Sequence, residues 1–327
     1  MKNLSRRQVC AALGTVAGLS LGLRRARAAP LTIRLGYSLA AEEQLWLLMA
    51  KPSLGQNYGT LYTFDATRFT SSSQRAQAFA AGAIDLASSG AEGALFAAAE
   101  GIPSTIIASL SKEDLHRGFN TTFLALDSSP INKVEDLKGK TVAVNGFSTT
   151  GELWLKTALE RHGMAESQVT VVPVAFPAMA ESLRSGRIDV GEFPQPFDAM
   201  VRKETKVKTI FTSKEGMPFD EELLVIVGHD PYLKAHAEAI RGFLADLEAA
   251  TKFYLANGAE ARQILIDKKF VRAPADVYLH MEDYYRDPTL RVDIDSLEKM
   301  QDAQVAAGFQ KKKADIKSLV DLSYLPK

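Results

Sequence analysis

Gln77-Ala78-Phe79-Ala80-Ala81-Gly82-Ala83-Ile84-Asp85-Leu86 and, later in the chain, Ala180-Glu181-Ser182-Leu183-Arg184-Ser185-Gly186-Arg187-Ile188-Asp189-Val190 follow one plan. Each reads as a helix end, a glycine stop, one residue, then Ile-Asp and a short apolar strand. Glycine suits the stop because it enters the left-handed region without a Cβ penalty. A helix–Gly–strand turn is common by itself. The shared Ile-Asp at the same offset, within the same order of elements, marks two similarly built lobes.

Working outward from the first copy, residues 31–37 alternate as a strand does, and 41–49 read as a helix. Residues 61–67 read as a second strand, 74–81 as a helix, 84–87 as a short strand, 91–100 as a helix stopped by Gly101, and 104–109 as a strand. Around the second copy the pattern restarts. A turn at Leu137-Lys138-Gly139-Lys140 leads to a strand over 141–145, a helix over 150–162 stopped by Gly163, and a strand over 169–174. Pro177 then opens a helix, and 188–191 form a strand. Strand–helix alternation of this kind predicts parallel α/β sheets. Residues 222–227 form a continuous apolar strand, Asp230-Pro231 opens a long helix over 232–256, and the rest reads as helices. Extended segments at 118–126 and 223–228 are expected to cross between the lobes. This gives lobe 1 as 29–118, lobe 2 as 119–222, and a return to lobe 1 over 223–327.

The chain has 327 residues, 46% of them hydrophobic, enough for two cores. Its 39 basic and 39 acidic residues balance, but the first 28 residues hold six of the basic ones and no acid. The remainder therefore carries a net charge of −6, which gives no electrostatic reason to bind nucleic acid. Ser5-Arg6-Arg7, an apolar stretch from Val9 to Leu23 and the small-x-small site Ala26-Arg27-Ala28 have the layout of a cleaved signal of the twin-arginine kind. The expected location is periplasmic, with cleavage near Ala28. Cys10, the single cysteine, falls inside that signal, so no disulfide, thiolate nucleophile or Cys-ligated metal is expected in residues 29–327.

In open parallel sheets ligands bind beyond the carboxyl ends of the strands. Three hydroxyl-rich turns fall there, each before a helix. They are Arg68-Phe69-Thr70-Ser71-Ser72-Ser73, Ser88-Ser89-Gly90, and Asn145-Gly146-Phe147-Ser148-Thr149-Thr150-Gly151. Helix N-termini offer unpaired N–H groups and partial positive charge, which suit an oxyanion. Ser89-x-x-Glu92 and Thr149-x-x-Glu152 also fit capping boxes, in which the same residues serve the helix ends. Candidate ligand-binding residues are Tyr37, Ser38, Arg68, Ser72, Ser88, Ser89, Gly90, Phe147, Ser148, Thr149, Thr150, Glu192 and Phe193. Tyr37, Phe147 and Phe193 are candidates to sandwich an organic body, with core packing the alternative for each; Trp46 is a further aromatic candidate. Arg68 is a candidate anion partner and Glu192 an amine partner. The five histidines are scattered, with no His-x-x-x-His pair. Residues 146–151 lack the Gly-x-Ser-x-Gly pattern of a nucleophile elbow. No catalytic residue, metal or cofactor is expected.

Arg34-Leu35-Gly36-Tyr37, Ala81–Leu86, Val134–Val144 with Ser148-Thr149-Thr150, and Ser185–Asp189 together resemble the nitrate, sulfonate and taurine type of ABC importer substrate-binding proteins. These are similar to proteins that bind pyrimidine precursors of thiamine. After the first strand, Ser38-Leu39-Ala40-Ala41-Glu42-Glu43 replaces the Pro- and Gly-bearing loop of such proteins. The resemblance implies an α/β, two-lobe type II periplasmic-binding-protein fold with a hinge and a ligand cleft between the lobes. It also implies a permease and an ATPase as partners. The expectation is a monomeric receptor for a small organic anion, a sulfonate or carboxylate that could be aromatic. The alternatives are a thiamine-pyrimidine-precursor binding protein or an enzyme on the same scaffold.

Overall fold

The computed structural model describes residues 29–327. The expected export signal, with its paired arginines, Cys10 and cleavage site, lies outside the described residues. The chain runs through β1 (Leu31–Tyr37), α1 (Glu43–Ala50), β2 (Tyr62–Arg68), α2 (Ser72–Ala80), β3 (Leu86–Gly90), α3 (Ala91–Ala99) and β4 (Ser104–Glu113). It continues through β5 (Thr122–Leu126), β6 (Thr141–Val144), α4 (Thr150–Arg161), β7 (Thr170–Pro173), α5 (Phe176–Arg184), β8 (Val190–Phe193), α6 (Phe197–Glu204), β9 (Val207–Thr212) and α7 (Ser213–Gly216). β10 (Glu221–His229), α8 (Asp230–Ala235) and α9 (Ala237–Ala256) follow, and the remainder is mostly helical.

The strands form two five-stranded sheets, ordered β2-β1-β3-β10-β4 and β7-β6-β8-β5-β9. With the inserted strands β10 and β5 left out of the numbering, both sheets read second-first-third-inserted-fourth. In each, one strand arrives from the other lobe and inserts antiparallel to both neighbours: β10 between β3 and β4, β5 between β8 and β9. The α/β, two-lobe architecture expected from the alternation is present. β10 is buried from Glu221 to Gly228, which explains its unbroken apolar run from Leu223 to Val227: a strand covered on both faces has no polar side to show.

The repeated segments do the same work in both lobes. Gly82 and Gly186 follow their helices at φ +68° and +70°. Beyond each, the aspartate turns back to the first strand. Asp85 Oδ2 accepts from the Arg34 backbone N–H at 3.0 Å, and Asp189 Oδ2 accepts from that of Thr141 at 2.9 Å. The aspartate backbones close the pairs, with Asp85 N–H donating to Arg34 O and Asp189 N–H to Thr141 O.

Two boundaries differ in a way that matters, and one is β8: the strand expected over 188–191 is Val190–Phe193, so Glu192 and Phe193 are strand residues paired with Phe123 and Thr122. The strand expected over 84–87 is β3, Leu86–Gly90, so Ser88, Ser89 and Gly90 are strand residues paired with Ile226, Val225 and Leu224. β10 offers backbone partners along its whole length, and these outweigh the turn tendency of Ser-Ser-Gly.

The two interlobe crossings are tied together by buried carboxylates. Glu113, which ends β4, accepts from Thr121 N–H at 3.0 Å, Thr121 Oγ1 at 2.6 Å and Ser213 Oγ at 2.7 Å. Glu221, which begins β10, accepts from the Trp154 indole at 3.0 Å and from Lys214 Nζ at 2.7 Å. The acids reach both crossing segments and α4, so the lobes share one polar joint.

Candidate functional site

Between the lobes, the carboxyl ends of β1, β2 and β3 face the start of α4. A cavity of about 60 Å³ remains there, lined among others by Phe69, Arg75, Asn145, Thr150, Phe176 and Glu192. The lobes touch across it. Asn145, after β6, accepts from the Ser72 backbone N–H at 3.0 Å and donates to Thr70 O at 3.3 Å. Ser73 Oγ donates to Phe147 O at 2.9 Å. At the far side, Tyr284 Oη lies 3.0 Å from Thr121 Oγ1 and accepts from Gln195 N–H at 3.2 Å.

Arg75 is the cation of this cavity. It lies one turn into α2, 3% exposed, its stem under Gly36 of β1. Its guanidinium makes no hydrogen bond or ion pair among the described residues. Burial lowers its pKa, while the charges of Glu42 and Glu92 pull the other way. A buried, unpaired guanidinium is costly unless something pairs with it.

Two buried carboxylates, Glu42 and Glu92, act on its charge, and a third, Glu192, lines the same cavity. Glu42 is occupied, accepting from Ser38 N–H at 3.1 Å and from Ser88 Oγ. Glu92, on α3, is occupied only in part: its Oε2 is buried without a partner. Burial raises its pKa and the facing Thr150 on α4 lowers it in part. Glu192, on β8, sits against the first turn of α4, so close that a Cβ on Gly151 would lie 2.1 Å from it. It accepts from Asn145 N–H at 2.9 Å. Burial pushes it up to about 7, with the charges of Glu92 and Glu113 adding to the effect.

The capping boxes do not form. α3 starts after Gly90, and Ser89 Oγ donates to Gly90 O. At α4, Thr149 Oγ1 donates to Gly146 O at 2.6 Å, and Glu152 accepts from Ser148 N–H rather than from the cap residue. Neither helix start is capped by its own N-cap side chain.

The thirteen candidate residues divide by position. Ser38, Ser72, Gly90, Thr149, Thr150 and Glu192 line the central cavity. Ser88, Ser89, Phe147 and Ser148 line a second, larger space beside it, which Ser72 and Gly90 share. Ser88 is fully buried and committed to Glu42. Tyr37, Phe147 and Phe193 do not meet. The Tyr37 ring stacks under Arg68, 5.5 Å from the guanidinium carbon. Phe147 is 49% exposed, and Phe193 is buried in the core of lobe 2 with Leu124 and Met179. Phe193 alternates with Glu192 along β8, so only one of the two can face the cavity. Arg68 donates to Phe270 O at 2.8 Å and lies on the opposite flank from Arg75. Trp46 is buried in a core with Tyr254 and Tyr278.

Arg75, Glu42, Glu92 and the aromatic walls Phe69 and Phe176 escaped the sequence reading. Arg75 looks like an ordinary solvent-facing charge on a helix, and Glu92 reads as a capping-box partner of Ser89; the signal for both is proximity to the Ser-rich helix starts. Phe69 stood inside the quoted turn. Among the described residues no group of three or more acidic, histidine or cysteine side chains could hold a metal ion.

A family model described as NMT1/THI5 like matches residues 67–261. No curated protein matches the chain. Among solved structures, the periplasmic aliphatic sulphonate-binding protein SsuA from Escherichia coli superposes with a TM-score of 0.70 at 20% identity, covering 90% of this chain and 92% of that one. The alkanesulfonate-binding protein SsuA from Xanthomonas axonopodis pv. citri, bound to MOPS, gives 0.75 at 19%, over 90% and 99%. The periplasmic nitrate-binding protein NrtA from Synechocystis PCC 6803 gives 0.73 at 12%, over 90% and 87%. At these identities the likeness is one of fold, the periplasmic-binding fold that the sequence led us to expect.

Proposed function

The chain belongs to the NMT1/THI5-like family, and from that premise we propose that it is a solute-binding receptor of an ABC-type importer and not an enzyme. It is exported to the periplasm and delivers its ligand to a permease and ATPase. The observation that carries the reading is Arg75: a buried guanidinium without a partner, in a cavity between two lobes that share a joint. A ligand anion fills that vacancy in charge, and N–H groups at the start of α4 add to it. Binding then favours the closed arrangement because only there do both lobes reach the ligand.

The surrounding acids refine the ligand expected from sequence. A simple anion would meet Glu92 and Glu192 as well as Arg75. A small organic anion that also carries an amine or other N–H donor satisfies all three. A second reading, an amine-bearing heteroaromatic such as a pyrimidine precursor of thiamine, is favoured by Glu192 together with the rings of Phe69 and Phe176.

A melting-temperature panel on residues 29–327 tests both. It holds alkyl and aryl sulfonates, carboxylates, nitrate, taurine and thiamine precursors. A ligand at a hundredfold excess over its dissociation constant stabilises the fold by about 2.7 kcal/mol, several degrees in midpoint for a chain this size. A shift with taurine-like zwitterions supports the first reading, and one with aminopyrimidines the second. No shift with any of these removes both ligand assignments.

A further inference from the structure

Beside the central cavity runs a groove of about 610 Å³, lined by lobe 1 and, from lobe 2, by residues 145–148 and Pro173. It lies between α2 and α3. Its floor is Ala87 and Val227, which are register partners on β3 and β10. Small residues, Ala76 on α2 and Gly93 and Ala97 on α3, alternate along its walls with the larger Phe79 and Phe96. Helices with small facing residues can pack at about 8 Å, and here the groove opens between the two. Gly93 adds to the gap. A Cβ there would meet only Ser89 Oγ, at 3.5 Å, so crowding does not require glycine. Glycine here leaves the wall flat.

The groove is continuous with the ligand cavity. Ser72, Arg75, Gly90 and Asn145 line both, so Arg75 stands at their junction. From lobe 2, Phe147 comes to the groove 49% exposed, one of three large apolar side chains left so exposed among the described residues. A lined apolar channel, a charge at its inner end and an aromatic ring from the opposite lobe at its rim describe a site for an amphiphile.

We propose that this groove is a second subsite, which takes an apolar tail of the ligand whose polar head rests at Arg75. The proposal rests on the head-group reading given above. Measured along α2 from Ser72 to Ala80, at 1.5 Å per residue, the channel is about 12 Å long, room for a straight chain of medium length. Closure of lobe 2 brings Phe147 onto the tail, so the groove selects among ligands that share a head.

The test is calorimetric titration of residues 29–327 with taurine and its N-butyl and N-octyl derivatives, with ethanesulfonate, butanesulfonate, octanesulfonate and the matching carboxylates, and with 1-octanol as a probe without a charged head. Affinity rises with chain length in the wild-type protein, up to about fourfold per methylene, the change that about 0.8 kcal/mol per buried CH₂ gives. Ala97→Leu and, separately, Gly93→Leu fill the groove: they abolish the gain with length and leave ethanesulfonate binding within twofold. A flat chain-length series in the wild type, or a gain that survives both substitutions, overturns the subsite and leaves the receptor reading intact. If no sulfonate or carboxylate binds but 1-octanol does, and Ala97→Leu prevents it, the groove stands and the anionic head fails. If 1-octanol and every headed probe fail, the groove is not a ligand site.

Discussion

Asn145 Oδ1 accepts a hydrogen bond from the backbone N–H of Ser72 at 3.0 Å, so a side chain of lobe 2 caps a helix of lobe 1. Ser72 is the first residue of α2, and the helix's own cap position, Ser71, makes no side-chain cap. One of the N–H groups every helix leaves unpaired at its start is thus satisfied only when the lobes are together. Asn145→Ala removes this tie and the one to Thr70. A net loss of about 1 kcal/mol, felt only in the closed form, weakens ligand binding roughly fivefold. Thermal stability of the lobes barely changes. Titration against wild type and small-angle scattering without ligand check this; equal affinity and equal compactness in the variant would show that the bridge does not govern closure.

Arg75 sets function against stability. A buried charge without a partner lowers stability, and replacing it with an apolar side chain of similar length relieves that cost. Arg75→Met is expected to melt at or above the wild-type midpoint and to lose at least a hundredfold in affinity for an anionic ligand. Arg68→Met, on the other flank and bonded to Phe270 O, lowers stability and leaves affinity within a few-fold. A paired measurement of midpoint and affinity on each variant separates the two. Loss of fold in Arg75→Met would make this guanidinium a structural element and remove it from the ligand site.

How far the sequence could be read follows from what each residue's neighbours are. Gly82-x-Ile84-Asp85 and Gly186-x-Ile188-Asp189 are legible as far as their work is local, a left-handed stop and a strand entered at once; the bonds from Asp85 to Arg34 and from Asp189 to Thr141 are not. Ser88 was misread as a turn because β10, from the far end of the chain, pairs with it. Glu42 and Arg75 could not be placed, since each looks solvated until Ser88 or Gly36 is seen to cover it. Phe193 and Glu192 are adjacent, and only the strand's alternation decides which faces the cavity. The legible pair carries its own prediction. Asp189→Ala and Asp85→Ala each strand a backbone N–H on a first strand and cost about 2 kcal/mol. Chemical denaturation of each variant against wild type measures this, and losses under 0.5 kcal/mol in both would mean that the repeated aspartates mark the turn without holding it.

Glu192 ties pH to both stability and binding. Burial raises its folded-state pKa to about 7, above the roughly 4.3 of a carboxyl in an unfolded chain. Between those values the folded protein holds a proton that the unfolded chain has released. Stability from this group is therefore fully present below about pH 4, falls as pH rises, and levels off above about pH 7. The span is of the order of 1–3 kcal/mol. Glu192→Gln keeps an acceptor for the Asn145 N–H and cannot ionise, so its stability loses this component of the slope, and above pH 7 it exceeds wild type. Denaturant midpoints from pH 5 to 8 on the two proteins measure the difference. A ligand amine beside Glu192 reverses the balance, because it stabilises the ionised carboxylate that burial penalises. Affinity for an amine-bearing ligand in the wild type should therefore strengthen from pH 5.5 to 7.5, while Glu192→Gln binds it weakly and without that dependence. A pH-independent affinity in the wild type would place the ligand's amine away from Glu192.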